Sequence, residues 1–201
     1  DAGSSFSASA IGIDGGADND QITISGPSAD ISAISNLRQT SIALQGVGAI
    51  IGDVGLTSNA SSLGVLGGSG LDTIANTTIL TSRADASAIA DQVSIQGLGF
   101  EADFGALSAN ANASVIVGGN GNDVLTNLLA VSVESLATAQ NNNLDIRLVG
   151  GGVGSSNSIA NARGVGMDGG VGDDTIINNL VVNVLSQART STSNTQVSVA
   201  D

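Results

Sequence analysis

The residues that could do chemistry here are carboxylates set among glycines. Gly15-Gly16, Gly67-Gly68, Gly118-Gly119 and Gly169-Gly170 open four similar stretches, GGADNDQI, GGSGLDTI, GGNGNDVL and GGVGDDTI, spaced 52, 51 and 51 residues apart. The last three fit G-G-x-G-x-D-x-U, with U a large aliphatic. The first keeps Asp20 and Ile22 but has Asp18 where the third glycine falls. The four windows 14–20, 66–72, 117–123 and 168–174 hold 28 of the 201 residues but 8 of the 18 acids: Asp14, Asp18, Asp20, Asp72, Asp123, Asp168, Asp173 and Asp174. That threefold enrichment exceeds what an evenly solvated surface would show. Gly and Asp also make good turns without any ligand.

Composition narrows the chemistry. The chain has no Cys, His, Trp, Tyr or Lys; five Arg face eighteen acids, for a net charge of −13. A disulfide frame, a zinc site and His-based catalysis are therefore excluded. The charge argues against nucleic acid or an anionic membrane as partner. The apolar runs, about six residues at most, fall far short of the roughly 20 that span a bilayer as a helix. No His, Lys or Tyr is present to act as a base, and the acids outside the turns do not cluster, so the expectation is that the protein is not an enzyme.

The turns punctuate a repeat, and the repeat must position them. Asn76, Asn127 and Asn178 recur at 51 residues, as do Leu80, Val131 and Val182, and Ile95, Ile146 and Val197. Residues 125–133 and 176–184 alternate with period two, the strand signal. Hydrophobic residues make up 41%, mostly small or branched, with three Phe the only aromatics. Such a core is thin and suits a repeated backbone. The expected fold is all-β: a β-solenoid with one wide rung per 51-residue repeat, each rung burying its apolar face against the next. About three strands per rung are expected, near 73–83, 91–97 and 104–117 in the second copy. The segment 134–140 reads as a strand end and corner, and the Asn column as a ladder of amide hydrogen bonds. Cut at the Gly pairs, the array divides into a partial unit 1–14, full units 15–66, 67–117 and 118–168, and a partial unit 169–201.

The turn motifs resemble the calcium-binding nonapeptides of RTX proteins, the secreted bacterial toxins, proteases and adhesins. The stretch 160–184 is also similar to long-repeat segments of very large bacterial surface proteins. RTX arrays run their nonapeptides in tandem, whereas here one occurs per 51 residues, so a site between turns requires successive repeats to be adjacent rungs. The resemblance implies Ca²⁺ as the cofactor, held by Asp20, by Gly67, Gly68, Gly70 and Asp72, by Gly118, Gly119, Gly121 and Asp123, and by Gly169, Gly170, Gly172 and Asp174. Four stacked turns offer at most three gaps. Calcium takes six to eight oxygens, and stacked carboxylates repel unless a cation lies between them. The resemblance further implies export as an unfolded chain and an extracellular or cell-surface location.

The functional expectation is a structural one: a calcium-stabilised segment of a bacterial surface fibre, adhesin or surface layer. Its neighbours would be copies of itself end to end, the join near Asp201 and Asp1, or further repeats of a longer chain. The alternative is an adhesive module recognising a glycan, another cell or ice. Three Phe give a glycan little to stack on, and Thr forms no regular column. The five Arg sit at different offsets and are expected to be local counter-charges. Asp53, Glu101, Asp103 and Glu134 are expected in solvated loops. The sequons at Asn59, Asn76 and Asn112 are read as chance.

Overall fold

The computed structural model describes residues 3–48, 51–52, 55–99, 103–150 and 155–200. Every regular element among them is a strand. One sheet is built from β1 (Ser4–Asp14), β5 (Leu56–Ser69), β9 (Ala106–Asn120) and β12 (Asn157–Val171), in that order. A narrow second sheet holds β2 (Gln21–Ile24), β6 (Thr73–Asn76), β10 (Val124–Asn127) and β13 (Thr175–Asn178). The third and longest holds β3 (Ser28–Gly48), β7 (Ile79–Gly99), β11 (Val131–Val149) and β14 (Val182–Ala200). A two-residue pair joins β4 (Ile51–Gly52) to β8 (Asp103–Phe104). All pairings are parallel, and each strand pairs with its counterparts one repeat away. This is a β-solenoid with one rung per repeat, and each of four rungs gives one strand to each large sheet.

The register carries the repeat directly: Leu80 pairs with Val131 and Val131 with Val182. Parallel, in-register pairing puts identical columns on the same side of the sheet. The core between the first and third sheets is alanine-rich, with Ala84, Ala86, Ala88 and Ala90 on β7 and Ala109, Ala111 and Ala113 on β9. Side chains this small let the sheets approach until hydroxyls bridge them. Ser35 Oγ lies 2.7 Å from Ser58 Oγ, and Ser62 Oγ lies 2.8 Å from Ser82 Oγ. Gly164 faces Val184 and Ser186 of the opposite sheet so closely that a methyl group would not fit.

Five expectations need correction. The strand expected over 73–83 breaks at Thr77-Thr78. There the Asn76 side chain folds back on the corner, its Nδ2 donating to Thr78 O and its Oδ1 accepting from Thr78 N. The strand expected over 91–97 is only the far part of β7, and 134–140 lies mid-strand in β11. Small inward residues (Ser135, Ala137, Ala139) let the chain run straight through. Glu134 is therefore a strand residue, ion-paired to Arg83 at 3.0 Å, rather than part of a loop. Asp103 likewise sits in β8, while Asp53 and Glu101 lie outside the described residues.

Beyond the alanines the third sheet inverts. On β7 the buried side becomes polar (Gln92, Ser94, Gln96), and on β11 it carries Asn141, Asn143, Asp145 and Arg147. Arg147 is fully buried and its Nε donates to Asp145 Oδ2 at 2.6 Å. Val93 and Ile95 face outward, with Leu144 and Ile146 beside them.

Candidate metal-binding turns

Each Gly-Gly turn links the end of a first-sheet strand to the short second-sheet strand. Gly68 and Gly70 adopt φ of 113° and 138°, Gly119 and Gly121 118° and 137°, and Gly170 and Gly172 97° and 145°. Backbone in this region favours glycine. Space demands it too. A Cβ on Gly68, Gly70, Gly119, Gly121, Gly170 or Gly172 would come within 3.0 Å of a backbone carbonyl of the preceding rung. In the first turn Asp18 holds the same position at φ 79° and Gly16 has φ 96°, with nothing within 4 Å of an added Cβ on Gly16. Among the described residues no rung precedes that turn.

The turn aspartates form a column. Asp72 Oδ1 accepts from Asp20 N at 2.8 Å, Asp123 Oδ1 from Asp72 N at 2.8 Å, and Asp174 Oδ1 from Asp123 N at 2.9 Å. Each carboxylate thus caps an amide of the preceding rung. Asp72 and Asp123 are each 1% exposed. Their second oxygens, and that of Asp20, are buried and accept no hydrogen bond. The position a Cβ would take on Gly67 lies 2.5 Å from the Gly118 carbonyl oxygen and 2.6 Å from Asp72 Oδ2. Gly15 and Gly118 repeat the arrangement with Asp20 and Asp123 and the carbonyls of Gly67 and Gly169. At three places between successive turns, therefore, a carboxylate oxygen without a partner and a carbonyl oxygen of the next rung lie close to the same glycine.

Carboxylate and carbonyl oxygens are the donor types a hard cation takes, and an unsatisfied buried carboxylate oxygen is costly, but these two oxygens are fewer than the six to eight that calcium takes. Each gap supplies one carboxylate, and among the described residues no three acids gather into a metal-holding group. Gly67, Gly118 and Gly169 contribute carbonyls to the gaps. The carbonyls of Gly16, Gly68 and Gly119 instead press on the glycine above.

Sequence reading also missed residues at these turns. Asn19 Oδ1 accepts from Leu71 N at 2.8 Å and Asn122 Oδ1 from Asp173 N at 2.9 Å, so a side chain at this position caps the following turn. The expected Asn ladder is present: Asn76 Nδ2 donates to Asn127 Oδ1 at 2.7 Å and Asn127 Nδ2 to Asn178 Oδ1 at 2.8 Å. A second ladder was equally legible from its spacing, Asn161 to Asn110 to Asn59 on the first sheet. Arg38 bonds Asp91 of the next rung at 2.7 Å. Asn142, donating from the rung beyond, together with Arg38 holds the Asp91 carboxyl below its ordinary 3.8. Asn76 is buried, which removes it as a glycan acceptor in the folded chain.

No family model, curated protein or solved structure matches this chain.

Proposed function

We propose that this chain is a structural segment of an extracellular fibre, adhesin or surface layer, a β-solenoid rod stiffened by calcium. The observation that carries the reading is the column of turn aspartates with buried, unpartnered oxygens in three successive rungs, at Asp20, Asp72 and Asp123. A rod needs regular rungs, and the in-register pairing supplies them. A divalent ion in each gap would link Asp20, Asp72 and Asp123 to the carbonyls of Gly67, Gly118 and Gly169. It would supply positive charge between stacked anions, and binding would then add directly to folding stability.

The proposed neighbour is more of the same repeat, in a longer chain or in another copy. Rung four has its Asp174 amide and Gly172 carbonyl on its free side, as the inner rungs have theirs toward the next rung. A copy docking its first rung there would bring Asp18 against that carbonyl, so the first turn must yield for copies to join end to end.

The experiment is thermal unfolding of the chain by circular dichroism in EDTA and in millimolar calcium, beside Asp72→Asn and Asp123→Asn. Asn keeps an oxygen for the amide and removes the charge. Calcium is expected to raise the melting temperature of the native chain and to lose most of that effect in the double variant. Identical native curves with and without calcium would refute the reading.

A further inference from the structure

The far part of the third sheet turns its aliphatic side chains to solvent. Ile42, Val93 and Leu144 form one outward column; Leu44, Ile95, Ile146 and Val197 form another. Ile42 and Leu44 are 68% and 73% exposed, and even Ile95, flanked by rungs on both sides, is 37% exposed. The outward aliphatic pair recurs in the first three rungs, and in the fourth the second column alone is aliphatic, at Val197. Opposite these residues the inward positions are polar, down to a fully buried Arg147 paired with Asp145. The outward aliphatics are therefore the pattern of this strand segment in the first three repeats, with Val197 and Val199 in the fourth, where Thr195 continues the first column, while a hydrophobic interior was available a few residues earlier.

We propose that this face packs against the same face of a second copy, sheet on sheet, joining two rods side by side. Three observations select a second copy. The face is a ladder whose period is the rung spacing of about 4.8 Å, and another copy offers a surface of the same period, so the ridges of one ladder seat between those of the other. It carries no outward charge between residues 42 and 47, 93 and 98, or 144 and 149 in a chain of net charge −13, so two like-charged molecules can meet there without facing carboxylates. The area is also suitable for a weak, self-complementary contact. Four rungs by about six residues give roughly 19 by 20 Å, near 400 Å² per copy. A total of about 800 Å² falls below the roughly 1,200 Å² of stable interfaces and in the weak, transient range, so the dimer forms only at high concentration. The face is bordered by a groove of about 340 Å³ beside Asp91, Asn142 and Ser193, where the polar outer surface begins.

Sedimentation equilibrium of the intact chain, from about 10 µM to about 1 mM, reads the association directly. The native chain is expected to approach twice its monomer mass at the top of that range. Ile95→Lys with Leu144→Lys, both on the outer surface, is expected to stay monomeric with unchanged circular dichroism and melting. The chain lacks cysteine, so Ile95→Cys carries a single spin label. Labels are expected within about 25 Å of each other in the dimer, since packed sheets lie about 10 Å apart. A monomer at all concentrations, association that survives both lysines, or labels showing no short distance would each overturn the proposal. So would a monomer that instead binds neutral-lipid vesicles through this face.

Discussion

Gly119 and Gly16 hold the same position in the third and first turns, and comparing them isolates what stacking contributes. Their φ angles are 118° and 96°, so alanine is strained at both. That strain alone is worth about 1–3 kcal/mol. The surroundings differ. An added Cβ on Gly16 meets nothing within 4 Å, whereas on Gly119 it runs into the carbonyl of Gly68 in the preceding rung. Backbone on both sides prevents easy relief, so a further penalty of about 1–3 kcal/mol is expected, as for overpacking in a core. Gly16→Ala should then cost about 1–3 kcal/mol and Gly119→Ala about 2–6 kcal/mol. For a chain of this size each kcal/mol lowers the melting temperature by about 2–4 °C, so the two variants should differ by several degrees. Both are made in the intact chain and melted by circular dichroism in EDTA, which removes any metal contribution. Equal losses would refute the claim that the glycines are demanded by the neighbouring rung, leaving turn conformation as their sole reason. A larger loss at Gly16 would refute the stacking order itself.

Two further outcomes follow from buried and bridging charges. Arg147→Met should destabilise by about 3–5 kcal/mol because it strands Asp145 in the interior, while Arg147→Met with Asp145→Leu should recover most of the loss in urea denaturation. Asp91 titrates low in the folded chain because Asn142 and Arg38 bond its charged form. A depressed carboxylate stabilises above its unfolded pKa and loses that contribution as pH falls through the folded value. Stability should thus decline as pH drops below 3.8, and Asp91→Asn should flatten that limb in an acid-unfolding titration. Arg38 is largely exposed, which keeps the effect small.

Much of the architecture was legible because the repeat is long and strict. Spacing of 51 residues identified the rung, and equal offsets identified the Asn76–Asn127–Asn178 ladder, since in a parallel stack sequence register becomes spatial register. The aspartates were found as a column for the same reason. What each carboxylate oxygen does was not legible. One accepts the amide of the preceding rung and the other has no partner, and only the turn conformation separates those roles. The role of Asp18 was hidden likewise: it looks like a defect in the motif until the Gly70, Gly121 and Gly172 positions are seen to abut a preceding rung.

The sequence by itself determined the columns: which residues stack on which, and how many rungs there are. Only the tertiary structure decided which side of the sheet each column faces. Leu80, Val131 and Val182 and Ile95, Ile146 and Val197 are equally aliphatic and equally regular, yet the first set faces the core and the second solvent. Fifteen residues separate the two sets. In an unbroken strand an odd separation places side chains on opposite faces. A corner within 84–90 would have reset that parity. The alanines there instead pack flat against the first sheet, the strand runs on, and an apparent second core column becomes an exposed face.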